Sequence, residues 1–212
     1  MPIQCPNCYT ENLDDAENCI SCGTKLQTLR IDPLHLPGGT VLANGKYKIE
    51  KTIGEGGFAI TYRGIDTFTS EIVAIKERWP EQRGTRQGKK VLWGIMAQQK
   101  RQEAIEKFKF EAELLKKCTH ESIVRYYDCF EENDTCYIVM ALISGKPLYD
   151  LVHNQGALAE NQVKRYFLQL AEALREVHAK GILHRDIKPE NIIIDTKPWV
   201  QSIITYISYL RV

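Results

Sequence analysis

Hydrophobic and polar residues follow different periods along the chain, and the changes predict where strands and helices lie. Residues 47–52, 60–65 and 72–78 are short runs rich in β-branched and aromatic residues, which predicts three strands joined by tight turns. Two further strands are predicted at residues 124–130 and 135–143. The short polar stretch between them indicates that these two strands form a hairpin.

Two helices are predicted from apolar residues that recur every three or four positions. The first covers about residues 98–118, and the second covers about residues 160–180 and ends at Gly181, a good C-terminal cap. The predicted apolar stripe of the second helix is Val163, Phe167, Leu170, Leu174 and Val177. Residues 79–100 are basic and are predicted to be irregular.

Composition and charge exclude several classes of protein. With 212 residues, 43% of them hydrophobic, the chain can bury a core, which excludes disorder as the overall state. The formal net charge of +1 offers no global attraction for nucleic acid or an anionic membrane. The longest apolar run, residues 136–143, is too short to span a bilayer, and the first ten residues do not resemble a signal peptide. We therefore expect a cytoplasmic protein without a membrane segment.

Four cysteines near the start of the chain form two C-x-x-C pairs separated by ten residues: Cys5, Cys8, Cys19 and Cys22. This spacing offers four thiolates to a tetrahedral Zn²⁺, and a segment of this size has little reason to fold without a metal. Two disulfides, or thiols without metal, are the alternatives. The segment resembles the zinc ribbons of many bacterial proteins. Because the segment has more acidic than basic side chains, we expect it to bind a protein partner and not nucleic acid.

A glycine-rich turn joins the first two predicted strands of the group that starts at residue 47. It follows a G-x-G-x-x-G pattern in which alanine replaces the third glycine. Such turns also occur in hairpins without function, so its meaning depends on the residues that follow. The turn consists of Ile53, Gly54, Glu55, Gly56, Gly57, Phe58 and Ala59.

The third predicted strand carries a lysine that needs an anionic partner. Side chains alternate along a strand, so Ala74 and Lys76 point to one face while the apolar residues beside them point to the other. A buried cation is costly unless an anion meets it. Glu111 lies on the inward stripe of the helix at 98–118, so the sequence predicts a Lys76–Glu111 pair.

The most specific motif follows the long helix and reads His184-Arg185-Asp186-Ile187-Lys188-Pro189-Glu190-Asn191. Together with the glycine turn, the Val-Ala-Ile-Lys strand and the helix glutamate, in this order, it resembles the protein kinase family over about residues 47–195. The resemblance implies an α+β fold with a small β-rich lobe and the start of a helical lobe, preceded by the zinc ribbon.

The resemblance also implies the cofactors and the catalytic residues. ATP and Mg²⁺ would bind, and a protein Ser or Thr hydroxyl would accept the γ-phosphoryl group. Asp186 would take the hydroxyl proton, and Lys188 would neutralise charge on the transferred group. Lys76, paired with Glu111, would hold the α- and β-phosphates, and Asn191 would ligate Mg²⁺.

The nucleotide would lie between the glycine turn and the strands of the small lobe. Met140 would be the gatekeeper, and the backbone of residues 141–143 would hydrogen-bond adenine. The complete nucleotide-binding set implied by the resemblance is Ile53, Gly54, Glu55, Gly56, Gly57, Phe58, Ala59, Thr61, Ala74, Lys76, Met140, Ala141, Ile143 and Asn191.

The sequence departs from the family pattern in four places. Ala59 replaces the third glycine, Thr61 stands where valine is usual, and Ala141 replaces the usual hinge glutamate. The fourth departure is larger, because the sequence contains no Asp-Phe-Gly, the motif that supplies the aspartate for the principal Mg²⁺. The sequence therefore predicts a kinase truncated before this motif, with low or no activity alone.

The predicted organisation is a zinc ribbon at 1–26, a linker at 27–46, a partial kinase domain at 47–195 and an unmatched tail at 196–212. Residues 85–93 also look like those of bacterial kinases that carry an N-terminal zinc ribbon. Two other hypotheses remain open. The chain is either a non-catalytic ATP-binding or partner-binding fragment, or a truncated product in which only the ribbon folds well.

Overall fold

The computed structural model describes residues 3–5, 8, 10–13, 16–24, 26, 34–80, 84–195 and 203–205. Its strands are β1 (Ile3–Gln4), β2 (Glu11–Asn12), β3 (Val41–Leu42), β4 (Tyr47–Gly56), β5 (Ala59–Asp66), β6 (Ile72–Arg78), β7 (Thr85–Gln87), β8 (Lys90–Leu92), β9 (Tyr126–Glu132), β10 (Thr135–Ala141), β11 (Gly145–Pro147), β12 (Ile192–Asp195) and β13 (Ile203–Thr205). Its helices are α1 (Ile95–Lys117), α2 (Leu148–Gln155) and α3 (Glu160–Ala179), with a 3-10 turn at Pro189–Asn191.

The main sheet has six antiparallel strands in the spatial order β3-β4-β5-β6-β10-β9. Neighbouring strands in the sheet are consecutive in the chain, except that β6 lies beside β10. A long connection leads from β6 to β9. That connection contains the β7–β8 hairpin and α1. A second sheet has the order β11-β12-β13, and β1 pairs with β2 in the cysteine-rich segment.

The core of the small lobe lies where α1 packs against the main sheet. Apolar residues of α1 at helical spacing are almost completely buried: Ile105, Phe108, Ala112 and Leu115. They join the buried residues of the central strands in one cluster. A lone antiparallel sheet exposes both faces, so this helix is what allows one face to bury its apolar side chains.

A smaller core cluster forms beyond the hinge. Tyr166 and Leu170 of α3 pack with Ile192 and Ile194 of β12. Gly181 has φ of +69° and its N–H bonds to the His178 carbonyl, so it closes α3 in a conformation that favours glycine. The loop that follows is thereby directed back toward β12.

The strands and helices correspond well to the pattern of the sequence. Three details differ. Residues 79–100 are not wholly irregular, because they contain the β7–β8 hairpin. Phe167, assigned to the inner stripe of α3, is 64% exposed, while Tyr166 is buried. Within the predicted linker, residues 34–46 are ordered and include β3.

The division of the chain into ribbon, linker, kinase part and tail stays a prediction. Of the predicted tail at 196–212, only the backbone of β13 belongs to the described residues. Residues 27–33 of the predicted linker also lie outside the described part of the chain.

Candidate active site

The glycine turn is the sharp end of the β4–β5 hairpin. β4 extends further than the pattern predicts, so Gly54 and Glu55 are still paired with Thr61 and Ile60. The turn is anchored at Phe58, whose carbonyl accepts hydrogen bonds from Trp79 N at 2.9 Å and Arg78 Nη1 at 2.6 Å. The Arg78 guanidinium also lies 5.5 Å from the centre of the Phe58 ring. Strand β6 therefore holds the far end of the turn.

The structure brings the predicted lysine and glutamate together. Lys76 Nζ lies 3.7 Å from Glu111 Oε1, and the two side chains are 21% and 14% exposed. Among the described residues, Glu111 Oε1 is a buried oxygen without a hydrogen-bond partner. Burial raises the pKa of Glu111, and the Lys76 charge opposes this shift without cancelling it. The pair is thus close in space but short of a direct hydrogen bond.

Cross-strand register places the other small-lobe residues on the face of Lys76. Thr61 lies opposite Lys76, and Met140 lies opposite Ala74. Since residues two apart on a strand share a face, these four residues lie on one side of the sheet. Ala74 and Met140 are buried, and Thr61 is half-buried.

The hinge begins directly after Met140. The Ala141 N–H already donates to the Arg125 carbonyl at 2.8 Å, and the Ile143 carbonyl accepts from Gly145 N at 3.1 Å. Ala141 and Ile143 are both half-buried. The Ala141 N–H is thus already used within the chain, whereas the Ile143 carbonyl oxygen can accept a second hydrogen bond.

The loop after α3 is built around a buried histidine. His184 is 2% exposed, and both its Nδ1 and its carbonyl accept hydrogen bonds from Asp186 N. Arg185, between them, has φ of +60°, a left-handed conformation that is uncommon for residues other than glycine. This local turn directs the Asp186 side chain away from His184 and toward the residues that follow it.

Asp186 lies at the centre of a polar cluster. Its Oδ2 accepts from Asn191 Nδ2 at 2.7 Å, and the same Asn191 nitrogen donates to the Asp186 carbonyl at 2.9 Å. Lys188 Nζ lies 3.3 Å from Asp186 Oδ1. The sequence-predicted residues thus form two groups, Lys76 with Glu111 in the small lobe and Asp186, Lys188 and Asn191 in the loop after α3.

The four N-terminal cysteines also converge. Their sulfur atoms all lie within 4.8 Å of one another. Cys5 Sγ is 3.5 Å from Cys22 Sγ, and Cys8 Sγ is 3.5 Å from Cys19 Sγ. A tetrahedron with Zn–S bonds of about 2.3 Å has S–S edges of about 3.8 Å, so the four sulfur atoms are near enough to one another to surround a zinc ion.

The local hydrogen bonds of this cluster favour thiolates, the form that binds zinc. Hydrogen bonds with Thr24 lower the pKa of Cys22 from 9.0 to about 6. Burial acts to raise the pKa of Cys19, but hydrogen bonds from the backbone of Cys22 and Ser21 outweigh it, and the pKa is lowered. The largest lowering effects come from residues 21–24, and hydrogen bonds with Cys5 and Cys8 add to them.

Sequence reasoning missed a buried ion pair on the opposite face of the small-lobe sheet. Glu77 is completely buried and its carboxylate accepts from Arg86 Nη2 at 2.6 Å, from Tyr62 Oη at 2.7 Å and from Tyr137 Oη at 2.7 Å. Burial raises the pKa of Tyr62 and of Tyr137, and the Glu77 charge adds to the shift. The position of Glu77 directly after Lys76 is the one sequence signal that could have pointed to it.

Comparison with known proteins decides the family. Residues 47–203 match the protein kinase domain. The chain belongs to the protein kinase family. It is similar in fold to the apo form of PpkA-294, with a TM-score of 0.74 and 31% sequence identity, covering 81% of this chain and 60% of that one. The predicted α+β kinase-like fold class is thereby confirmed.

Curated relatives of the chain include protein kinases from plants and from a bacterium. CBL-interacting protein kinase 33 of Oryza sativa subsp. japonica is 36% identical over 152 residues, which are 72% of this chain and 30% of the relative. A probable serine/threonine-protein kinase of Clostridium acetobutylicum is 37% identical over 156 residues, 74% of this chain and 21% of the relative. The chain therefore spans less than a third of the length of these protein kinases.

Helices of the described part of this kinase chain are either too short or too polar to cross a membrane.

Proposed function

We propose that the chain carries the nucleotide site and the catalytic loop of a serine/threonine protein kinase, which transfers the γ-phosphoryl group of ATP to a protein Ser or Thr hydroxyl. The observation that carries this proposal is the Asp186 carboxylate held between the Asn191 amide and the Lys188 ammonium. A carboxylate fixed in this way accepts a proton from an incoming hydroxyl in a defined direction.

In this proposal the small lobe binds the nucleotide. The backbone from Gly54 to Phe58 covers the phosphates, and Lys76, positioned by Glu111, holds the α- and β-phosphates. Ala74 and Met140 border the adenine, which forms hydrogen bonds with the hinge backbone at residues 141–143. The distance of 3.7 Å between Lys76 Nζ and the buried Glu111 Oε1 supports this assignment. Because the two groups form no direct hydrogen bond, the Lys76 ammonium can interact with the phosphates and with Glu111 at the same time.

Mg²⁺ supplies electrostatic stabilisation of the transferred group, and Asn191 is the residue that would hold it here. The 212 residues contain no Asp-Phe-Gly from which a second metal ligand could come. Asp195 is buried in β12, four positions after Asn191, and we propose that it does not replace the Asp-Phe-Gly aspartate as a metal ligand. We therefore propose that phosphotransfer by these residues alone is low, and that a segment with an Asp-Phe-Gly motif restores it.

The cysteine cluster is proposed to be a zinc ribbon that binds a protein partner. The mutual closeness of all four sulfur atoms supports zinc over disulfides, since two disulfides would need only two close pairs. The same proposal places the protein in the cytoplasm, where ATP is present and thiols stay reduced.

Isothermal calorimetry with MgATP tests the nucleotide site. Lys76→Met should weaken binding by about ten- to a hundredfold, because a charge-assisted contact to phosphate is lost. The matched control is Lys107→Met, the same substitution at a lysine that is 65% exposed on α1. If both variants bind MgATP as tightly as the unmodified chain does, the assignment of the phosphate site is wrong.

A further inference from the structure

The segment that precedes β4 is docked on the small lobe. Leu36 is 2% exposed, and its N–H donates to Tyr62 Oη at 3.2 Å. Two residues earlier, the Leu34 carbonyl accepts from Arg86 Nε at 2.8 Å. His35 lies between these two anchors, so its position relative to the sheet is defined on both sides.

The chain after His35 continues along β4 in close contact. Gly39 N donates to the Ile49 carbonyl at 2.8 Å, and Ile49 N donates to the Thr40 carbonyl at 2.8 Å. A Cβ atom at Gly38 would lie 2.6 Å from the Glu50 carbonyl oxygen, so only glycine permits this approach. The segment therefore behaves as an added edge of the small lobe.

His35 reaches from this segment to the glycine turn. Its Nε2 lies 3.1 Å from Glu55 Oε2, and the two side chains are 18% and 49% exposed. A carboxylate only accepts hydrogen bonds, so the imidazole N–H is the donor. Among residues 54–57, Glu55 is the one residue with a side chain, and it is therefore the place where this stretch can be held by a side-chain contact.

Strand register shows which face this contact occupies. Glu55 lies opposite Ile60, and Ile60 lies opposite Glu77. Side chains alternate along strands, so Glu55 shares a face with the buried Glu77 and lies on the side away from Thr61 and Lys76. His35 thus acts on the glycine turn from outside, without access to a nucleotide bound on the Lys76 face.

We propose that His35 is a positioning residue for nucleotide binding, which holds Glu55 and through it the glycine turn in the conformation that covers the phosphates. Glycines lose more conformational freedom on ordering than other residues do, so an ordered turn of this kind carries an entropic cost. Because the contact with His35 already orders the turn, less conformational entropy is lost when the nucleotide binds. The inference rests on the proposed nucleotide site.

The test compares the full chain with His35→Ala, His35→Gln and Glu55→Ala. MgATP affinity is measured by calorimetry, and amide hydrogen exchange at residues 54–57 is measured without nucleotide. His35→Ala should weaken MgATP binding about three- to tenfold, the value of one hydrogen bond, and speed exchange in the turn. His35→Gln, which keeps an N–H donor, should recover most of both effects.

Two controls test whether the effect is specific to the contact between His35 and Glu55. His178→Ala removes an exposed histidine at the end of α3 and should leave affinity and exchange unchanged. Adding His35→Ala to Glu55→Ala should weaken binding no further, because the two residues act through one contact.

Failure of this inference differs from failure of the proposed function. If the unmodified chain binds MgATP and His35→Ala matches it in affinity and exchange, His35 has no positioning role. If the unmodified chain binds no MgATP, the nucleotide site itself is wrong, and a positioning role for His35 is overturned with it.

Discussion

Glu111 is the residue whose environment most clearly conflicts with its chemistry. It is a carboxylate on the buried side of α1, with one oxygen that lacks a hydrogen bond among the described residues and a cation 3.7 Å away. Such a residue costs stability when it is ionised, because desolvation is only partly offset. Its place beside Lys76 agrees with the proposed role of positioning that lysine.

The pH dependence of stability tests this description of Glu111. Burial raises the pKa of Glu111 above its usual 4.5, so its contribution to folding is present below that value and is lost as pH rises through the raised pKa. Glu111→Gln should match the unmodified chain near pH 4 and become the more stable protein by pH 7. The difference grows by about 1.4 kcal/mol for each unit by which the pKa is raised.

Chemical denaturation at several pH values measures this difference, with Glu113→Gln as the control because Glu113 is 59% exposed on the same helix. Glu111→Gln should at the same time bind MgATP more weakly, since Lys76 loses its partner. A stability difference that does not change with pH would show that burial does not raise the pKa of Glu111.

Individual residues were predictable from sequence where a simple period governs them. Strand alternation placed Lys76 and Ala74 on one face, and the helical period placed Glu111 toward them. Glu77 and His35 were not predictable in this way. Their partners, Arg86 and Glu55, are brought near by the packing of a hairpin and of the segment before β4, which no local period records.

At the scale of elements, the β7–β8 hairpin is attached to the sheet by a buried ion pair. Arg86 and Glu77 are 2% and 0% exposed, and the Arg86 guanidinium lies 4.9 Å from the Trp79 ring centre. Burial acts to lower the pKa of Arg86, but the hydrogen bonds and charge of Glu77 prevail and raise it. The ion pair connects β6 to the hairpin.

Removal of one partner of this pair should be strongly destabilising. Arg86→Met should lower the free energy of unfolding by about 3–5 kcal/mol, because it leaves the Glu77 carboxylate buried without a cation. Arg101→Met is the matched control, since Arg101 pairs with Asp134 at the surface and should cost about 1 kcal/mol or less. Urea unfolding curves measure both.

The double variant Glu77→Gln with Arg86→Met should recover part of the loss, because no charge then remains buried. Equal costs for Arg86→Met and Arg101→Met would contradict the structural role assigned to the buried pair.

Element prediction succeeded where a run of β-branched and aromatic residues or a helical apolar period marks the element. The predicted positions of β4, β5, β6, β9, β10 and α1 agree with the structure within a few residues, whereas β3 lies in the stretch predicted to be a linker. The β7–β8 hairpin was missed because its strands are three residues long and carry a buried arginine that reads as polar. The predicted apolar stripe of α3 differs from the buried one at Phe167. Tyr166 and Leu170 pack with β12, and Phe167 is therefore exposed.

At the scale of the whole molecule, the cysteine cluster is proposed to depend on a metal. Elemental analysis of the purified chain should find one zinc per chain, and Cys19→Ala should abolish stoichiometric binding. Cys118→Ala, a buried cysteine of the kinase part, should leave the zinc content unchanged. Substoichiometric zinc in protein prepared without chelator would argue for free thiols.

The central claim is the proposal that Asp186 is the base of a phosphotransfer site whose activity requires an Asp-Phe-Gly segment. ATP-dependent phosphorylation of a generic Ser/Thr substrate tests it most directly, with this chain, a version extended by the Asp-Phe-Gly-containing half of a related kinase, and the Asp186→Asn form of the extended version. We expect turnover near background from the chain alone, clear turnover from the extended version, and a loss of about 10²- to 10⁴-fold with Asp186→Asn. Absence of turnover in the extended version, or turnover that survives Asp186→Asn, would contradict the claim.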